Sequence, residues 1–376
     1  MDIIFNRYLW LLPILAFLGV YSSSKKRLYV AEHNLKELPS NYDIADDYRT
    51  TLFFAVIAFL PFVFISANRT FGFGDTAAYA NMFWSWPDSI FAVDLSGDER
   101  YPGFIYFTAF VKQFITKDFR TWFFIIAAIQ CFCLSVTYRR YTSEVVFCAY
   151  LFLMCDFQGW MNNGIRQFLV ATIMFALTPL ILSEKKSKWL IFLAVGLLLY
   201  YTHVSVIIAL PIYFIALGKP MNKKTMAIII LIVFAIVFVD QFTGLLSDTL
   251  EGTNYETSTS ELTSTANGTN LLRVLFFSIP SALVIIFRKK IPDDLPQIIS
   301  YSINMSLVGT AFYFLSAFTN GISIGRMPIY FTLYNYILLP WEIKTFFKLE
   351  SRQIIFNITI IVYFIFYSFQ MSTWGL

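Results

Sequence analysis

The stretch 160–167 places a positive charge where an apolar segment begins. Residues 168–182 are apolar apart from two threonines and a proline, so we expect Arg166 in the first turn of a membrane-spanning helix. An arginine at the centre of such a helix costs roughly 2.5–3.5 kcal/mol, and less near the interface. A helix N-terminus and a guanidinium together suit a phosphate or carboxylate. The alternative is an arginine that only anchors the helix at the interface.

Arg326 occupies a similar position in the stretch 325–328. Pro328 suits the first turn of a helix, so Arg326 is predicted to open a second inward-running helix. Two arginines at two helix N-termini suit a pyrophosphate better than a single carboxylate. The alternative is two independent interfacial anchors.

His203 and Asp75 are the candidate bases. His203 lies at the outer end of a predicted span, and a neutral imidazole can take a proton from a hydroxyl near neutral pH. A packing role is the alternative for a lone histidine. Asp75 follows Gly74 in a turn six residues after Arg69, where it could bind sugar hydroxyls or act as a base. Asp98 and Glu99 are expected to be solvated loop charges.

The composition is that of a polytopic α-helical membrane protein. Hydrophobic residues make up 57% and charged residues 14%, and the mean hydropathy is +0.63. We therefore predict a single transmembrane domain over residues 1–376. The four cysteines lie in apolar runs, which argues against a disulfide framework or a zinc site. Signatures of P-loops, zinc hydrolases and serine hydrolases are missing, and no cofactor is implied.

About twelve transmembrane helices are predicted from the apolar runs. Lysine and arginine cluster in alternate connections, which are the cytoplasmic loops by the positive-inside rule and leave both termini outside. The predicted spans are roughly 8–21, 51–66, 121–138, 144–157, 163–183, 188–202, 204–218, 225–240, 271–287, 297–318, 327–347 and 353–370.

Two outer-face regions follow from this topology. Residues 67–120 form a loop region with short amphipathic or re-entrant helices, because 102–116 is too short to cross and contains Lys112. Residues 241–270 are rich in Ser, Thr, Gly and acidic side chains and are predicted to form a flexible outer loop.

The basic residues differ in kind between the two predicted sides. The cytoplasmic side has 13 lysines and 6 arginines, whereas the outer side has 2 lysines and 7 arginines. Lysine suffices for a topology signal, but planar recognition of phosphate favours arginine. This bias supports phosphate binding on the outer face, with chance as the alternative.

Five short pieces between about residues 55 and 340 carry a family resemblance. In chain order they are Arg69 with Gly74-Asp75-Thr76 and Tyr79, Tyr101-Pro102-Gly103-Phe104, Asn163-Gly164-Ile165-Arg166-Gln167, Thr202-His203-Val204-Ser205, and Arg326 with Tyr330. Together they resemble the EpsG family, a Wzy-like group of exopolysaccharide polymerases. The block 163–167 is the most specific piece. The family usually has a glutamate where this chain has Tyr101, and often a second histidine where it has Val204.

The resemblance implies a multi-pass protein of the bacterial cytoplasmic membrane that joins repeat units carried on undecaprenyl pyrophosphate. It implies substrate-binding roles for a set of polar and aromatic residues and catalytic roles for His203 and Asp75. No metal is needed in principle, because pyrophosphate is already a good leaving group. The implied substrate-binding residues are Arg69, Asn163, Arg166, Gln167, Arg326 and Tyr330.

Two other classes of function stay open. A flippase for lipid-linked glycans would carry charges through the midplane or show inverted repeats, and neither is found. A glycan ligase or O-acyltransferase would also use a histidine, but an acyltransferase would need it at the cytoplasmic face. Whether a chain-length regulator or a flippase of the same pathway binds stays open, and no nucleic-acid partner is expected.

Overall fold

The computed structural model describes residues 7–36, 50–96, 101–238, 268–319 and 324–373. Every regular element within these ranges is helical, so the all-α class is confirmed. Asp98, Glu99 and nearly all of the predicted loop 241–270 lie outside the described residues.

Seventeen α-helices are described within these ranges. In chain order they are α1 (Leu11–Glu32), α2 (Leu52–Ala67), α3 (Thr76–Ser85), α4 (Pro102–Phe114), α5 (Phe119–Tyr141), α6 (Val145–Cys155), α7 (Ile165–Ala176), α8 (Thr178–Ile181), α9 (Lys186–Leu199), α10 (Val206–Ile215), α11 (Lys223–Val237), α12 (Leu271–Phe277), α13 (Ile279–Ile286), α14 (Gln297–Phe318), α15 (Ile329–Thr332), α16 (Asn335–Phe346) and α17 (Leu349–Thr373).

Three of these helices, α5, α14 and α17, are long and apolar enough to cross a membrane. Helices α2, α6, α7 and α10 are apolar but shorter. Several predicted spans consist of two helical pieces, because the backbone turns at Leu177 before α8 and at Ser278 before α13. Pro179 and Pro280 follow these turns, as expected for residues that lack a backbone N–H. The number of twelve crossings stays a prediction.

The chain divides into two compact units. The first consists of Met1–Leu180, Lys186–Val206 and Phe347–Leu376, and the second of Ile181–Lys185 and Ile207–Phe346. Within the first unit, α2 packs along α5, and α5 packs along α7. Phe59 of α2 stacks on Tyr138 of α5, with ring centroids 5.9 Å apart. These helices form the apolar scaffold of the first unit.

In the second unit, the long helix α14 packs against α11, α15 and α16. Asn304 is fully buried in α14 and ties it to the turn before α11. Its side chain donates to the carbonyls of Ala216 and Lys219 and accepts from the backbone N–H of Met221. All three polar positions of this amide are therefore satisfied inside the unit.

The described part of the region 67–120 contains two short α-helices, α3 and α4, and a 3-10 helix, Ile90–Ala92. Pro102 lies in the first turn of α4, which has 13 residues and is about 20 Å long at 1.5 Å per residue. A bilayer core of about 30 Å exceeds this length. The buried ammonium of Lys112 in α4 donates to the carbonyls of Phe83 and Trp86. Whether α4 enters the membrane from the outer side stays a prediction.

Candidate functional site

Arg166 lies in the first turn of α7, which begins at Ile165. Its guanidinium carbon is 3.7 Å from the centroid of the Tyr101 ring and 5.7 Å from that of Tyr79. Its Nε is buried and has no hydrogen-bond partner in the described part of the chain. Two aromatic rings, rather than a carboxylate, therefore position this guanidinium.

Arg69 follows α2 and is buried in the first unit. One guanidinium nitrogen donates to Oδ1 of Asn162 at 3.1 Å, and the guanidinium carbon lies 4.0 Å from the centroid of the Phe123 ring. Burial lowers the pKa of Arg69 to about 10, so the side chain still carries its charge at neutral pH. Its Nε and second terminal nitrogen have no hydrogen-bond partner among the described residues.

Asn162 fixes the position of Arg69. It is fully buried, and its Oδ1 also accepts from the hydroxyl of Ser66 at 2.6 Å, while its Nδ2 donates to the carbonyl of Phe157. The preceding π-helical turn, Phe157–Met161, brings the amide to this point. Such turns occur frequently at functional sites.

Asn163 joins the start of α7 to the turn that carries Asp75. Its Oδ1 accepts from the backbone N–H of Asp75 at 2.8 Å. Gly74 has a φ of +49°, and a Cβ at that position would lie 2.4 Å from the same Oδ1. The turn therefore requires glycine both for its backbone conformation and for this close approach. The half-buried Asp75 interacts electrostatically with Arg69 without forming an ion pair.

His203 belongs to a hydrogen-bonded chain that starts on α7. Gln167 Nε2 donates to Ser205 Oγ at 3.1 Å, and this Oγ is 2.7 Å from His203 Nδ1. The backbone N–H of Ser205 donates to the same Nδ1 at 3.4 Å. The His203 ring also stacks on Tyr101, with centroids 5.8 Å apart and an interplanar angle of 18°.

Tyr101 connects Arg166 with His203, although the sequence alone indicates no site role for it. It is the N-cap residue of α4. Gly103, two residues later, donates its backbone N–H to the carbonyl of Tyr201 at 2.8 Å. A Cβ on Gly103 would lie 3.0 Å from the backbone of Tyr201. The Pro102-Gly103 pair could have indicated a close backbone approach, but not which residue it approaches.

An apolar cluster next to Tyr101 holds the four helices α3, α4, α5 and α7 together. It also includes the partly buried ring of Tyr101 at its edge. The fully or almost fully buried members are Tyr79, Phe83, Phe104, Val111, Trp122, Phe123, Ile126, Ile165 and Leu169.

Six predicted site residues come together in the first unit through direct contacts or through neighbours in the chain. Arg326 and Tyr330 belong to the second unit, so their relation to Arg166 stays a prediction. Arg326 ends a short 3-10 helix, and Tyr330 is fully buried with its carbonyl accepting from the Tyr213 hydroxyl. The six residues of the first unit are Arg69, Asp75, Asn163, Arg166, Gln167 and His203.

The fold and this polar cluster define a helical membrane protein with an arginine-bearing site in its first unit. The sequence model of the EpsG family matches residues 52–375, and the chain belongs to that family. No curated protein and no solved structure shows significant similarity to the chain.

Proposed function

We propose that the protein is a polysaccharide polymerase, a membrane glycosyltransferase that joins undecaprenyl-pyrophosphate-linked repeat units at the outer face of the bacterial cytoplasmic membrane. Membership of the EpsG family supports this reaction class. The observation that carries the proposal is the pair Arg69 and Arg166, which make no ion pair with a carboxylate of the described chain.

Arg69 is a buried cation without an ion-paired counterion, which is costly, and a bound anion would supply the missing charge. Tyr79 is near both guanidiniums: its ring lies beside Arg166, and it interacts electrostatically with Arg69. Two arginines near one tyrosine suit a ligand with two linked phosphates. Arg326 remains a further predicted contact for the same group.

In the proposed reaction, a hydroxyl of the acceptor sugar attacks the anomeric carbon of the donor glycan. The bond from that carbon to the pyrophosphate oxygen breaks, and its electron pair leaves with the lipid pyrophosphate. The arginines stabilise the charge that develops on the leaving group, so a metal is not required in principle. His203 and Asp75 are the candidates to receive the acceptor proton, and a single displacement inverts the anomeric centre.

The test is incubation of the purified protein with a lipid-linked repeat unit. A ladder of product lengths supports a polymerase, whereas a single transfer product indicates a ligase or another transferase. Intact substrate with no new bond would favour transport and overturn the proposal. The control for Arg166→Ala is Arg120→Ala, because Arg120 is exposed and its guanidinium lies over the neighbouring Phe119 ring.

A further inference from the structure

We propose that His203 acts as a hydrogen-bond donor through Nε2–H rather than as the base, with Ser205 and Gln167 as the positioning residues that hold this tautomer. The inference rests on the proposed function for its chemical meaning. The tautomer itself can be tested without any turnover.

The backbone N–H of Ser205 determines the protonation of Nδ1. This N–H points at His203 Nδ1 with an N···N distance of 3.4 Å. A backbone donor has no rotational freedom to turn away, so Nδ1 must offer a lone pair and not a hydrogen. A neutral imidazole has one N–H, which therefore lies on Nε2.

The Ser205 hydroxyl strengthens the same assignment. Because Nδ1 is an acceptor, its 2.7 Å contact with Ser205 Oγ is a hydrogen bond only when the hydroxyl donates. Gln167 Nε2 donates to the same Oγ at 3.1 Å, so Gln167 holds the oxygen that contacts Nδ1. Gln167 is buried in α7 one residue after Arg166, so the chain of bonds starts on the helix that carries the arginine.

Tyr101 contacts both His203 and Arg166. Its ring stacks on the imidazole and also contacts the Arg166 guanidinium. The side chains that carry the Nε2–H and the guanidinium therefore contact the same aromatic ring. Donors grouped in this way suit oxygen atoms on which negative charge develops, as on a departing pyrophosphate.

This assignment changes the path of the proton. To act as a base through Nδ1, His203 would have to accept a hydrogen where two donors of Ser205 already point. In the proposed reaction, His203 donates a hydrogen bond and transfers no proton. The acceptor hydroxyl forms the new bond to the anomeric carbon and gives its proton to the Asp75 carboxylate, the other candidate base.

The first experiment is nitrogen-15 NMR of histidine-labelled protein at alkaline pH. The chain has two histidines, so the variant His33→Gln leaves His203 as the single signal, and His33 is exposed and bonds only to its own helix. We expect the Nε2–H tautomer in this background. Ser205→Ala removes the hydroxyl donor and keeps the backbone N–H, so the Nε2–H tautomer should remain the major one while the fraction of the Nδ1–H tautomer rises, and Ser205→Thr should restore the starting spectrum. An Nδ1–H tautomer in the parent protein would overturn the proposal, and unchanged spectra in Ser205→Ala would remove the role of the Ser205 hydroxyl.

The second experiment compares His203→Gln with His203→Asn in the ladder assay. A glutamine amide can place its N–H near the position of Nε2, whereas an asparagine amide reaches only the position of Nδ1. We expect His203→Gln to stay within about tenfold of the parent rate with an unchanged pH profile, and His203→Asn to lose about 10²-fold or more. Equal losses of about 10²–10⁴-fold in both variants, with loss of one ionisation from the profile, would identify a base and overturn the proposal. If the parent protein forms no ladder, the proposed function fails, while the NMR result still decides the tautomer.

Discussion

The Arg166 guanidinium carbon lies 3.7 Å from the centre of the Tyr101 ring. The face of an aromatic ring attracts a cation, with a contribution of about 0.5–2 kcal/mol that depends on desolvation. The ring carries no formal negative charge that could compensate that of the guanidinium. The ring therefore orients the charge without neutralising it, and Arg166 can still bind an anion.

Substitution of Tyr101 tests this relationship. Tyr101→Phe keeps the ring and should bind the lipid-linked donor almost as well as the parent protein. Tyr101→Leu removes the ring, and the loss of about 0.5–2 kcal/mol corresponds to donor binding that is roughly two- to thirtyfold weaker. The measurement is the affinity of each purified variant for the lipid-linked donor. Equal losses in the two variants would assign the effect to the hydroxyl and contradict the stacking argument.

A second prediction concerns the turn that carries Asp75. Gly74→Ala puts a side chain on a left-handed residue and within 2.4 Å of Asn163 Oδ1, so we expect a loss of about 1–3 kcal/mol in unfolding free energy. The amide of Asn163 must also move away from the Asp75 N–H. Unfolding in detergent and the ladder assay provide the measurements.

The control for this prediction is Gly72→Ala, two residues earlier in the same turn. A Cβ there meets no atom within 4 Å, and the backbone is not left-handed. Gly72→Ala should therefore leave both the unfolding free energy and the activity unchanged. A Gly74→Ala protein that behaves like Gly72→Ala would show that the turn relaxes freely.

The start of α7 was predictable, whereas its contacts were not. A long apolar run after a polar stretch indicates a helix, and Arg166 lies in its first turn as the sequence predicts. The contact with Tyr101 joins residues far apart in the chain, and no periodic pattern reports it. The breaks at Leu177 and Ser278 were missed because hydropathy records the apolar character of a segment and not its backbone path. The tautomer of His203 depends on one backbone N–H direction, which sequence cannot provide.

The predicted topology can be tested by labelling introduced cysteines. The four native cysteines are buried, so they should react little with a membrane-impermeant reagent. Gly72→Cys and Lys117→Cys, both at exposed positions, should label from the same outer side of intact cells. Lys186→Cys should label only after the membrane is opened. Labelling of positions 72 and 117 from opposite sides would refute the re-entrant prediction for 102–116.

The ion pairs of Asp88 should give a pH-dependent contribution to stability. Lys112 Nζ lies 2.6 Å from Asp88 Oδ1, and Lys117 Nζ lies 3.1 Å from Oδ2. The hydrogen bond from Lys112, and to a smaller extent that from Lys117, holds the pKa of Asp88 below its ordinary value of 3.8. Because the folded-state pKa is the lower one, the contribution is complete above the ordinary value and is lost as the pH falls through the folded value.

Asp88→Asn should therefore be less stable than the parent protein at neutral pH, and the difference should disappear in strong acid. The measurement is the thermal unfolding of both proteins in detergent, from neutral pH to strong acid. Lys117→Ala is the milder control, since Lys117 is exposed while Lys112 is buried. A difference that stays constant into strong acid would show that the charge on Asp88 is not the cause.

The last prediction separates the roles of the two site arginines. Arg69 is buried, bonded to Asn162 and packed on Phe123, so Arg69→Lys should lower both the unfolding temperature and the activity. Arg166 is partly exposed, and within the described part of the chain the contacts of its guanidinium are with the Tyr79 and Tyr101 rings, so Arg166→Lys should fold normally. Lysine keeps the charge there but loses the planar fork, and activity should fall. Arg166→Ala should cost roughly 2–4 kcal/mol of transition-state stabilisation. Unfolding temperature and initial rate are measured on the same preparations. A stably folded and fully active Arg166→Ala protein would show that this guanidinium does not bind the reacting pyrophosphate.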